Sequence, residues 1–199
     1  MKRHRGRRIG LLGGSFNPPH EGHRHISLIA LKRLGLDEIW WLVSPQNPLK
    51  GRGETRPLAE RMRQAAAIAR HPRIRISDLE ARLGTRFTAD TLTALRRRYP
   101  GDRFVWLMGA DNLKQIPRWR RWQAIFAALP ICVLDRGRDA HTALRGRAAQ
   151  RYRRARRRPD RALVERTAPA WAYLFIRRHA AQSRLIRAGS GAGHRRQKT

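Results

Sequence analysis

The sequence predicts an α/β protein built on a doubly wound parallel sheet of five to six strands, with helices on both faces. Three observations predict it. Short apolar runs alternate with segments of helical periodicity. Each run is apolar on both faces, as a strand covered by helices on each side must be. The candidate functional segments follow directly on the carboxyl ends of those runs, where such sheets hold ligands.

Arg8–Leu12 is the first such run and stops at Gly13-Gly14, a strand followed by a tight turn. His23–Leu34 carries apolar residues at Ile26, Ile29, Ala30 and Leu34, a helical stripe, and Gly35 supplies a stop. Glu38–Val43 reads EIWWLV, too short for most helices and rich in strand formers. A loop is expected over Ser44–Pro57, a helix over Leu58–Arg70, a strand over Ile74–Ser77 and a helix over Thr88–Tyr99. Phe104–Met108 reads as the fourth strand, Trp119–Leu129 as a helix and Ile131–Leu134 as the fifth strand. Ala172–Phe175 is a candidate sixth strand, with a short helix near Ser183–Ala188. The pattern is Rossmann-like, although the dinucleotide fingerprint Gly-x-Gly-x-x-Gly is absent.

A chain of 199 residues suits one domain and can bury a core without staples. The expected domain spans residues 1–188, with a basic insertion around 138–161 and a basic, disordered tail over 189–199. The insertion contains Arg153-Arg154-Ala155-Arg156-Arg157-Arg158 and reads as a solvated helix or a mobile loop. The single cysteine, Cys132, excludes a disulfide framework, fits a reducing cytoplasm, and reads as a small buried hydrophobe. No run of about 20 apolar residues exists, so no membrane span is expected. The formal net charge of +31 has two readings. One is a polyanionic partner, with weak, non-specific nucleic-acid binding through the basic segments. The other is an arginine-biased composition that decorates the surface.

The chemistry concentrates in Gly13-Gly14-Ser15-Phe16-Asn17-Pro18-Pro19-His20-Glu21-Gly22-His23, between the first strand and the first helix. Glycines let backbone N–H groups approach a phosphate, and the helix beginning near Gly22 turns its positive end to the same place. His20 and His23, three apart, share one face at a helix start. Peptide dipoles and two imidazoles together make an anion clamp. Two histidines are too few for a closed zinc site, and no metal ligands are assigned.

This block resembles the Gly-Gly-Ser/Thr-Phe-Asp/Asn-Pro-x-His-x-Gly-His signature of the nucleotidyltransferase superfamily, and within it the bacterial nicotinate-nucleotide adenylyltransferases. The resemblance extends to about Arg187. It implies transfer of the adenylyl group of ATP to nicotinate mononucleotide, with Mg²⁺ accompanying ATP. On that resemblance ATP meets Gly13, Gly14, Ser15, Phe16, His20, Gly22, His23, Gly109, Asp111, Arg136, Ser183 and Arg187. Gly84–Leu92 resembles the family's pyridine-holding segment, with Phe87 and Thr88; Trp119 matches its stacking aromatic, and Asn47 and Lys50 fall in its mononucleotide loop. His20, His23 and Lys50 are the expected catalytic set. The family's closing Ser-Ser/Ala-Thr-x-Ile-Arg motif is replaced by Gln182-Ser183-Arg184-Leu185-Ile186-Arg187: Arg187 carries over by position, and either Ser183 takes the second slot with Arg184 replacing the threonine, or one residue is deleted and Ser183 fills the first slot.

The implied nucleophile is a phosphate oxygen, already ionised at neutral pH. That removes the need for a Ser/His/Asp set or paired carboxylates, and leaves positioning and charge stabilisation as the work of the site. Two alternatives stand beside it. One is a related transferase acting on nicotinamide mononucleotide or another phosphorylated acceptor. The other is a nucleic-acid-binding protein on the same fold.

Overall fold

The computed structural model describes residues 6–45, 55–135 and 140–176. Asn47, Lys50, Arg136, Ser183 and Arg187, the tail and the helix expected near 183–188 lie outside the described residues.

Seven strands form one sheet in which every pairing is parallel: β1 (Arg8–Gly14), β2 (Glu38–Val43), β3 (Ile74–Ser77), β4 (Arg103–Gly109), β5 (Ile131–Asp135), β6 (Arg156–Arg157) and β7 (Trp171–Phe175). Their order is β3-β2-β1-β4-β5-β7-β6. The strands carry apolar side chains on both faces. Leu11, Trp40, Trp106 and Val133 enter one cluster, with Leu12, Trp41, Val105 and Cys132 in the other. The first cluster is closed by α4 (Thr88–Arg98), α5 (Ala110–Gln115) and α6 (Trp122–Ala128), and by α7 (Ala140–Arg145) and α8 (Arg147–Arg151). The second is closed by α1 (Glu21–Leu34) and α2 (Leu58–Ala69). Helix α1 ends at Gly35 with φ of +58°, the left-handed stop its sequence predicts. Cys132 is fully buried, and burial pushes its thiol up to about 12, so it is an inert core group.

The chain leaves β1 for β2 on one side and later returns to β4 on the other. The loops after β1 and β4 therefore diverge above adjacent strands, which opens the crevice where doubly wound sheets bind ligands.

Three expectations are corrected. The sheet has seven strands rather than five or six, because two arginines of the basic run form the edge strand β6. The run is ordered as α7, α8 and a 3₁₀ turn at Arg153–Ala155, not as one solvated helix or a loose loop. Ala143, Ala148 and Ala149 bury in the first cluster, where α7 and α8 pack on α5, while the arginines around them stay exposed. The helix expected from Trp119 begins only at Trp122. A 3₁₀ turn at Ile116–Arg118, containing Pro117, and a left-handed Arg121 with φ of +52° interrupt the path.

Gly13 has a packing reason beyond phosphate approach. A Cβ there would lie 2.3 Å from Cη2 of Trp106 on β4. Gly13→Ala is therefore expected to destabilise the fold by about 1–3 kcal/mol, as overpacking does. Trp106→Phe should absorb part of that cost. Urea midpoints of the two single variants and the double variant check it, and strictly additive losses would contradict the packing account.

Candidate active site

β1 runs apolar to Gly14 and then has no side chain large enough to continue the core until Phe16. Phe16 turns inward at φ of +46° and is buried. Its ring stacks on Trp41 of β2 at 5.0 Å and meets His23 at 4.8 Å. His23 lies in the first turn of α1, and His20 stands just before it at the N-cap position. The two imidazoles are 3.8 Å apart, and both are buried. The backbone N–H of His20 donates to His23 Nδ1 at 3.2 Å, and the N–H of His23 donates to the carbonyl of His20 at 2.9 Å. Because Nδ1 accepts, a neutral His23 carries its proton on Nε2. Below it, Trp41 Nε1 donates to Ser27 Oγ at 2.8 Å, and that hydroxyl donates to the carbonyl of His23. The clamp is held by stacking and by a hydrogen-bonded core residue.

β1 pairs with β4, so Gly13-Gly14 and Gly109-Ala110-Asp111 end on neighbouring strands at the same sheet edge. Gly109 is the N-cap of α5, and Asp111 lies half-buried in its first turn. The pyridine-type segment also assembles. Thr85 donates its N–H to the carbonyl of Glu80, and its hydroxyl lies 2.9 Å from that of Thr91. α4 then opens at Thr88, with half-buried Phe87 at its N-cap and no side-chain cap. Arg120 lies over the Phe87 ring at 4.8 Å, and Arg121 pairs with Asp90 at 3.0 Å. These contacts bring half-buried Trp119 and its neighbours to the opening of α4. The structure thus unites Gly13–His23 with Gly109–Asp111, and Phe87–Thr88 with the Trp119 segment.

Two buried ionisable residues near these loops escape the sequence reading. Arg61 on α2 is wholly buried and, among the described residues, bonds backbone carbonyls alone. Glu80 sits in α3 (Leu79–Arg82), a helix too short to show periodicity, with its carboxyl bonded to Ser44 at the end of β2. Burial pushes Glu80 up to about 7 from an ordinary 4.5, against the opposing pull of the Ser44 hydrogen bond. The folded protein then holds a proton that the unfolded chain releases. Stability falls as pH rises through that interval and levels off above it. Glu80→Gln should stabilise the protein more at about pH 8 than at about pH 5, by on the order of 2–3 kcal/mol. Equal gains at both pH values in urea unfolding would contradict the assignment.

Among the described residues no group of three or more His, Cys, Asp and Glu side chains could hold a metal ion. Asp111 is the acidic side chain that opens α5 at the crevice. Such a donor-poor edge fits a cation that arrives on a polyphosphate, keeping water and phosphate oxygens as ligands. No helix among the described residues is long and apolar enough to cross a membrane.

The sequence model of a family described as cytidylyltransferase-like matches residues 11–180. A probable nicotinate-nucleotide adenylyltransferase of Bradyrhizobium sp. (strain ORS 278) is 58% identical over 170 residues, covering 84% of this chain and 88% of its own. A protein of the same description from Ruegeria pomeroyi is 51% identical over 190 residues, covering 94% of this chain and 88% of its own. The Plasmodium falciparum nicotinic acid mononucleotide adenylyltransferase complexed with NaAD shares the fold, with a TM-score of 0.68 at 17% identity over 92% of this chain and 83% of that one.

Proposed function

The chain belongs to the cytidylyltransferase-like family and, within it, to the nicotinate-nucleotide adenylyltransferases, and we propose that the histidine loop Gly13–His23 carries that chemistry here. The enzyme transfers the adenylyl group of ATP to nicotinate mononucleotide, giving nicotinate adenine dinucleotide and pyrophosphate in NAD biosynthesis. The observation that carries the assignment to this loop is the close pair of imidazoles His20–His23, tilted against each other at the start of α1 and beside the β1–β4 crevice.

A phosphate oxygen of the mononucleotide attacks the α-phosphorus of ATP. The bond from that phosphorus to the bridging oxygen breaks, and pyrophosphate leaves with the electron pair. No proton need move, so the residues work by position and charge. His20 contacts the α-phosphate as charge builds on it. His23 donates from Nε2 to the triphosphate at the positive end of α1. Gly13, Gly14, Ser15, Phe16 and Gly22 shape the backbone around the phosphates, and Gly109 and Asp111 meet the adenosine side. Thr88, Phe87 and Trp119 hold the pyridine ring. By resemblance, Asn47 and Lys50 meet the mononucleotide and its phosphate, Arg136 the adenine, and Ser183 and Arg187 the triphosphate. A Mg²⁺ ion arriving with ATP would neutralise the phosphates further, and Asp111 is the residue that would help hold it. The exposed arginines of the 145–158 segment give the enzyme an electropositive face. Weak, salt-sensitive attachment to nucleic acid is the expectation attached to it.

Pyrophosphate release measured with ATP and a panel of phosphorylated acceptors tests the assignment. Turnover is expected with nicotinate mononucleotide foremost. Preferred turnover with phosphopantetheine or another non-pyridine acceptor would overturn it.

A further inference from the structure

Arg61 is the largest cationic side chain withdrawn wholly from solvent among the described residues. Burying a charge is costly unless it is fully hydrogen-bonded. Among the described residues the bonds all go to backbone carbonyls. Nε donates to Arg56 at 2.8 Å. Nη1 donates to Ser15 at 2.6 Å and to Ser44 at 2.8 Å. Nη2 donates to Pro45 at 3.0 Å. Among the described residues no carboxylate pairs with it.

Those carbonyls belong to separate segments. Ser15 begins the histidine loop after β1. Ser44 and Pro45 begin the loop after β2, the one that leads to Asn47 and Lys50. Arg56 leads into α2. The planar guanidinium fork has fixed donor directions, so it sets the separation of the first two loops as well as joining them. A direct bond from the N–H of Ser44 to the carbonyl of Gly14 at 3.0 Å closes the same junction at its base.

We propose that Arg61 is a positioning residue for adenylyl transfer: it fixes Ser15, where the histidine loop begins, and Ser44 and Pro45, where the chain leaves β2, at one spacing, so that the acceptor phosphate meets the α-phosphorus in line. The proposal rests on the reaction assigned above. It predicts that each substrate still finds its own loop when Arg61 is altered, while the two no longer meet correctly.

The test uses Arg61→Lys, which keeps the charge but not the fork, and Arg61→Gln, which keeps a planar donor but not the charge. Each is assayed at a temperature where its circular dichroism shows it fully folded. Ala65→Gly, on the same face of α2, serves as a destabilised control that touches neither loop. For Arg61→Lys, kcat is expected to fall at least about 30-fold, because displacement of a reacting group by about 1 Å is that costly. Dissociation constants for ATP alone and for nicotinate mononucleotide alone should change by less than about threefold, and Ala65→Gly should keep its kcat. Wild-type kcat in either folded Arg61 variant would overturn the proposal. So would a loss of binary affinity as large as the loss of turnover, or failure of both variants to fold, which would make Arg61 a residue of fold stability. Wild-type turnover tests the reaction itself. If the wild type prefers another acceptor, the ratio of variant to wild type is taken with that acceptor, and the two questions stay separate.

Discussion

His20→Ala is expected to lower kcat at least about 100-fold, the loss typical of removing one preorganised donor from a developing negative charge, near 2.7 kcal/mol. The imidazole stands at the N-cap of α1, where the helix adds its own positive end, and its ring packs on His23 at 3.8 Å. Its substitution therefore removes a donor and loosens the neighbour. Neither hydrophobic cluster includes the His20 ring, so the fold should persist with only a modest shift in melting temperature. Steady-state kinetics on a protein shown to be folded checks this. Unchanged kcat would remove the histidine clamp from the mechanism.

The second large effect concerns the acceptor. The ratio of kcat/KM for nicotinate mononucleotide over the amide form is expected to exceed about 10³, because a site built of donors leaves them unpaired against an amide NH₂. α4 opens at Thr88 without a side-chain cap; the N–H groups of Asp90 and Thr91 donate to the Phe87 carbonyl, so those of Thr88 and Ala89, with the helix's positive end, are the ones that would meet a carboxylate. Arg86 and Arg120 over the Phe87 ring make the same neighbourhood cationic. In the role proposed for it Trp119 would stack on either ring, so Trp119→Ala should raise KM for both acceptors and leave the ratio nearly intact. A ratio near one would contradict the carboxylate reading of the α4 opening while leaving adenylyl transfer untouched.

The fold was legible because its strands are apolar on both faces and its helices are long enough to show a stripe. β2 and β3 begin and end where composition places them. Elements shorter than two turns were not legible. α3 and α5 hold four and six residues, too few for periodicity, and β6 is two arginines that gain order only by pairing with β7. The clamp and the Trp119 segment could be read from motif residues.

Arg61 could not, because one more arginine in a chain with 45 Lys and Arg looks like surface. Its position did hold a signal. Arg61, Ala65 and Ala69 recur at helical spacing and are the buried face of α2, so a charge on that stripe needed partners. Glu80 follows Leu79 in a helix that its own length concealed.

The bond broken lies at the α-phosphorus of ATP, and the acceptor is nicotinate mononucleotide. ATP labelled at the α-phosphorus, incubated with that acceptor and the wild-type protein, tests both at once. The label is expected in a dinucleotide product, with unlabelled pyrophosphate released in equal amount. Label in the released phosphates, or no dinucleotide from a folded protein, would contradict it.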